Sequence, residues 1–273
     1  MPFRRAHLIL LLLVPMIGIA FWPGYFGQVR AAPFALHAHG LSAIAWLLLV
    51  ELQAWTMSRR RLPLHRTAGL AMFVLVPAFT VGGLLAMQGM AALAAAQSDP
   101  FHAHYGVRLA LDDALAIAAF LTLVTIAIAQ RRRVWVHGGA MIGTVLLVLP
   151  PIITRLPVFP GSASFNTVFL IAQGIALTLA LTLAGAYPRS RLPFGFVALT
   201  IIVQSAAVAL LGTTMAWQRV AFALIGVPPV LLALTGVILG LTPLWLAWRR
   251  LFLRRPEPGA AAANQEGAAP IAG

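Results

Sequence analysis

The sequence predicts an all-α integral membrane protein, an eight-helix bundle whose spans two to five form a four-helix core built as two helical hairpins. Three observations carry this. Apolar stretches of spanning length recur along the chain, arginines are confined to the short connections between them, and tryptophan and tyrosine gather at the stretch ends. With 61% hydrophobic and 9% charged residues and a mean hydropathy of +0.92, the chain lies outside the range of soluble domains, and its solvent is lipid.

A helix needs about 20 apolar residues to cross the hydrocarbon core, because every backbone polar group must be satisfied within its own segment. Eight stretches qualify, roughly 5–22, 35–57, 66–90, 107–130, 136–154, 166–187, 194–215 and 226–248. The first follows Arg4–Arg5 and reads as an uncleaved signal anchor, although Gly18-Ile19-Ala20 offers a small-x-small site. With the N-terminus cytoplasmic, the inner connections and tail hold 15 of the 19 arginines. Only Arg30, Arg108, Arg155 and Arg219 fall outside, as the positive-inside rule requires of eight spans with both termini cytoplasmic. The expected location is the inner, cytoplasmic membrane of the cell, crossed several times.

The polytopic domain covers 1–255, with the core at 34–155 and accessory spans at 166–248. Residues 256–273, PEPGAAAANQEGAAPIAG, lack an apolar face and are expected to form a disordered cytoplasmic tail. Trp22, Tyr25, Trp55, Trp135, Tyr187, Trp217, Trp245 and Trp248 form an aromatic belt, and Met215–Val220 reads as interfacial. Gly139-x-x-x-Gly143 and Gly236-x-x-x-Gly240 give small-residue faces for close helix contact. Pro150–Pro151 should break or kink the fifth span.

The net charge of +13 arises from arginines that serve topology and lipid headgroups, so the bilayer rather than nucleic acid is the expected partner. Without cysteine there are no disulfides, zinc-thiolate sites or thiolate-held iron–sulfur clusters. A metal would have to be held by histidine, carboxylate, methionine or backbone oxygen. No Walker, Rossmann, HExxH or serine-elbow motif is present.

The chemistry-bearing residues follow a repeated layout. His37 and His39 open span two, Arg59–Arg60–Arg61 closes it, and His65 follows; His102 and His104 precede span four, Arg131–Arg132–Arg133 closes it, and His137 follows. This places four histidines at the outer face and two at the inner face, as two stacked sites in one four-helix core require. Residues two apart on a helix point about 200° from each other. On a helix, His39, Trp46 and Gln53 therefore share one face and His37, Ile44 and Glu51 another; an extended segment after Pro33 would instead send both imidazoles the same way.

On these histidines, residues 34–155 resemble the cytochrome b561-type membrane proteins, whose four-helix core carries two bis-histidine haems. The resemblance implies haem b and transmembrane electron transfer, a membrane oxidoreductase activity with a redox partner or a quinone. It implies that His37 or His39 pairs with His102 or His104, that His65 pairs with His137, and that Arg66 or Arg133 meets the propionates. In that family the ligands sit within spans, whereas His65 and His102 here read as interfacial or loop-borne. The LHRTAG segment also resembles a Leu-His-Arg-x-x-Gly motif of uncharacterised bacterial multi-span proteins, which implies no particular activity.

The competing reading is a transporter or metal-binding protein holding copper, zinc or iron at the outer face through His37, His39, His102, His104 and Asp99. Metal ligation could equally involve His39, His104, His65 and His137. A structural or assembly protein is the third class. Asp112, Asp113 and Glu51 are costly inside a membrane and should face the bundle interior, a partner or water, as proton-carrying or histidine-orienting groups. Arg108 is placed to pair with Asp112 one turn later, and Glu51 and Gln53 read as interhelical hydrogen-bonding groups.

Overall fold

The computed structural model describes Phe3 and residues 5–249, and all regular structure among them is helical. The expected tail at 256–273 and Arg4, Arg250, Arg254 and Arg255 lie outside the described residues. In order, the helices are α1 (Ala6–Phe21), α2 (Phe34–Ser58), α3 (Leu62–Gly69), α4 (Met72–Ala95), α5 (Pro100–Ala129), α6 (Val134–Leu146), α7 (Leu149–Ile153), α8 (Phe165–Ala186), α9 (Arg191–Leu210), α10 (Met215–Ala223) and α11 (Pro229–Arg249).

Seven of the described segments are long and apolar enough to cross a membrane: α2, α4, α5, α6 with α7, α8, α9 with the turn before it, and α11. The expected first span is a helix of 16 residues. At about 1.5 Å per residue it reaches about 24 Å, short of the roughly 30 Å of hydrocarbon. It packs against α2 and α7 and sends Leu10, Leu13 and Ala20 into the core. Large apolar side chains such as Leu192, Val230 and Ile238 are well exposed around the bundle, as a lipid-facing surface demands.

The sequence places the third span at 66–90, but the chain forms two elements there. Pro63 pre-organises the first turn of the short α3, and α4 begins only at Met72. Likewise α5 starts seven residues earlier than the expected 107, because Asp99 caps its N-terminus and Pro100 occupies the first turn. His65 and His102 are therefore helical, not loop-borne. Before Pro150–Pro151 the helix breaks at Leu147 and Val148, and a new helix begins.

Helix α4 lies against α2, α5 and α11, and α9 lies against α5, α6 and α8. Glycines set these approaches. A Cβ on Gly236 or Gly240 would come within 2.8 Å of Val81 or 2.7 Å of Pro77, so α11 lies directly on the backbone of α4. Gly139 and Gly143 receive the side chains of Ser190 and Val197. A pair not read from the sequence, Gly82–Gly83, is tighter still: a Cβ on Gly82 would stand 2.6 Å from Cα of His39. Trp46 of α2, 1% exposed, closes the core by donating its indole N–H to Oγ1 of Thr144 in α6 at 3.1 Å.

Candidate functional site

The arginine-rich end of the bundle holds a cavity of about 900 Å³, bounded by the start of α1, the second half of α2, α3, the facing ends of α5 and α6, and Trp248 of α11. Two matching segments build its polar wall. Helices α3 and α6 each start after a three-arginine cluster, with Arg61 and Arg133 as their N-caps. In each, the histidine four residues on donates its main-chain N–H to that arginine's carbonyl at 3.0 Å: His65 to Arg61 and His137 to Arg133. The two imidazoles meet across the bundle, ring centroids 6.2 Å apart and planes 79° to each other. His65 and His137 are thus brought together.

The two rings are held differently. Nδ1 of His137 donates to the carbonyl of Ala127 at 2.9 Å, which leaves Nε2 with its lone pair free. Such an outer partner fixes the tautomer and aim of a ligating histidine. Nδ1 of His65 is buried without a hydrogen bond. Burial and then the nearby His137 hold the His65 pKa below its ordinary value, against the raising influence of the Gln53 carbonyl, so this imidazole stays neutral under ordinary conditions.

Two further polar groups on the cavity wall are unsatisfied. Gln53 is 9% exposed and its Nε2 has no partner, facing the gap left by Gly69. Arg131 lies with its guanidinium 4.4 Å from the Trp248 ring centre and its Nη1 buried and unpaired; burial, then the neighbouring Arg132, lowers its pKa. His65, Arg66 and Gly69 of LHRTAG all line the cavity. Arg133 does not: it is exposed at the helix cap, whereas Arg131 lines the cavity. Arg131 and Gln53 lie outside the candidate residues of the sequence, although the shared face of His39, Trp46 and Gln53 points inward and is a usable signal for Gln53.

At the opposite end the four histidines take separate partners. His37 meets the Tyr25 hydroxyl through Nδ1 at 2.9 Å. His39 lies beside Phe79, ring centroids 5.5 Å apart, with Nδ1 buried and unpaired. His102 belongs to the α5 cap: Asp99 accepts from its main-chain N–H at 2.9 Å, and its Nδ1 stands 2.6 Å from the other carboxylate oxygen. These bonds hold the Asp99 carboxyl below its usual pKa. His104 is exposed beside Tyr105. Because α2 and α5 are helical through both His-x-His pairs, each pair splits to opposite faces. No three His, Asp or Glu side chains form a metal-binding group among the described residues.

The acids also separate. Among the described residues the ion pair present is Asp99–His102, so Arg108 and Asp112 do not pair; Nε of Arg108 and Oδ1 of Asp112 are both buried and unsatisfied. Gln204 donates instead to the main-chain carbonyl of Asp112 at 3.1 Å. Asp113 and His39 share the electrostatic influence of Arg155, whose Nη1 donates to the Pro151 carbonyl at 2.8 Å. Glu51 is half-buried and forms no side-chain bond with Gln53, two residues away on a different face.

No protein-family model matches the chain, and no curated protein or solved structure matches it.

Proposed function

We propose that this multi-pass membrane protein binds one b-type haem in the cavity at its arginine-rich end and transfers electrons there. The observation that carries the reading is the His65–His137 pair: two imidazoles from matching segments, 6.2 Å apart at the wall of a cavity of about 900 Å³. The donor set fits the group. Neutral imidazoles are the axial ligands of b-type haem, no cysteine is needed, and a mainly apolar chamber suits a large planar macrocycle.

His65 and His137 would hold the iron, and Arg66 and Arg131 would meet the acidic substituents, satisfying the buried Nη1 of Arg131. When bound, the group supplies one-electron chemistry. The protein's part is to present two oriented imidazoles, exclude water with Trp46, Leu49, Val124 and Met141, and compensate negative charge. The arginine excess supports a cytoplasmic orientation of this end. Because the outer histidines are dispersed, the reading narrows from two stacked haems to one, with a membrane-soluble carrier such as a quinone as the natural exchange partner.

Absorption spectra of the purified protein from haem-supplied cells test this. The expected result is a sharp b-type α-band on dithionite reduction, about one haem per chain, lost in His65→Ala and in His137→Ala and retained in His102→Ala and His104→Ala. Colourless protein, or a band that survives both inner replacements together, would overturn it.

A further inference from the structure

At the end of the bundle opposite the haem-sized cavity, a recess of about 300 Å³ lies between the end of α4, the first turns of α5 and the α9–α10 connection. Among the described residues its polar lining is Gln97, His104, Arg108, Thr213 and Gln218, with no carboxylate. One wall is fixed by Trp217, whose indole N–H donates to the Val107 carbonyl at 2.7 Å and pins α10 to α5. The stem of Arg108 rests on Gly212, where a Cβ would stand 3.1 Å from Arg108 Cγ.

Among the described residues Arg108 forms no ion pair; its Nε is buried and unsatisfied, and its guanidinium lies 5.9 Å from the Tyr105 ring centre. A half-buried guanidinium in an acid-free recess is completed by an anion that accepts several N–H bonds, and phosphate oxygens have that geometry. Leu210, Leu211 and Met215, which flank the lining residues Gly212 and Thr213 in sequence, are strongly exposed apolar side chains. An acyl chain would lie along them with its headgroup held by Arg108.

From this arrangement we infer that the recess is a binding site for an anionic phosphate group, carried by a phospholipid headgroup or by a small soluble phosphate. Net negative charge is selected, because no carboxylate among the described lining residues meets the ammonium of a zwitterionic headgroup. The site is independent of the haem reading.

Native mass spectrometry of the full chain with phosphatidylglycerol, phosphatidylcholine and, separately, glycerol phosphate tests it. The expected result is retention of phosphatidylglycerol over phosphatidylcholine, reduced at least fivefold in Arg108→Gln, less in Gln218→Leu, and largely kept in Arg108→Lys. Retention of glycerol phosphate but not of the lipid, with the same dependence on Arg108, would assign the site to a soluble phosphate. Equal binding by wild type and Arg108→Gln, equal binding of the two lipids with no glycerol phosphate bound, or no binding of any probe by wild type would overturn the inference. Thermal unfolding checks that the variants are folded, and Gln218→Leu carries the test if Arg108→Gln is not.

Discussion

His65 and His137 stand four residues after the last arginine of equivalent clusters, each hydrogen-bonded through its main chain to that arginine at 3.0 Å, with their rings 6.2 Å apart. The pair is symmetric in backbone and asymmetric in side chain, since His137 has the Ala127 carbonyl and Nδ1 of His65 has no partner.

That asymmetry predicts unequal effects on the ligand-free protein. His137→Phe removes a satisfied bond and leaves the Ala127 carbonyl without it, at a cost of about 1 kcal/mol. His65→Phe removes the imidazole's contact with the Gln53 carbonyl together with the unpaired Nδ1, so its cost is smaller than that of His137→Phe. Thermal unfolding in detergent of haem-depleted protein separates the two; equal losses would show that the rings are held alike.

The neutral state of His65 predicts a pH dependence. Its pKa is lowered from the ordinary 6.5, so on acidification the unfolded chain takes up a proton before the folded one does. Stability is fully present above about 6.5 and falls as pH drops below that value towards the depressed folded one. The unfolding midpoint of the haem-depleted protein should therefore decline as the pH is lowered below about 6.5. His65→Phe should flatten part of that decline, and an unaltered slope in the variant would contradict the assignment.

Glycine contacts predict where the bundle tolerates no methyl group. Gly82→Ala places Cβ 2.6 Å from the His39 backbone, and Gly240→Ala places it 2.7 Å from Pro77, where no flexible side chain can yield. Each should destabilise by about 1–3 kcal/mol. Gly174→Ala and Gly195→Ala, where nothing lies within 4 Å, should raise stability slightly through helix propensity. Unfolding midpoints of the four variants check the ordering.

The sequence made the transmembrane character legible because spanning length, arginine placement and apolar runs are local quantities. The helical face of His39, Trp46 and Gln53 was readable for the same reason: 3.6-residue geometry alone turns them to one side, and the structure turns that side inward. The glycine face at 236 and 240 needed only its spacing, whereas Gly82–Gly83 lack the interval and meet His39 through tertiary docking. Rotation at a helix end decided between Arg131 and Arg133, and no residue pattern fixes it. The recess at Arg108 joins residues about a hundred positions apart, through a Trp217 bond that only the folded chain displays.

A last feature invisible to composition is the backbone at Arg60, which adopts φ 56° in the turn between α2 and α3. The Arg61 N–H reaches back to the Thr56 carbonyl at 2.8 Å and the Arg60 N–H to Met57 at 3.1 Å, the six-to-one and five-to-two bonds that end a helix with a left-handed residue. Glycine adopts this conformation without the penalty of about 1–2 kcal/mol met by residues bearing Cβ. Arg60→Gly should therefore stabilise the protein by about 1 kcal/mol, while Arg60→Val should destabilise it because branching at Cβ sharpens the clash. Arg59, Arg61 and Arg66 remain as positive topology signals in both variants. The measurement is the difference in unfolding midpoint between them; a midpoint for Arg60→Gly below that of Arg60→Val would rule out the left-handed turn that aims α3, and with it His65, into the cavity.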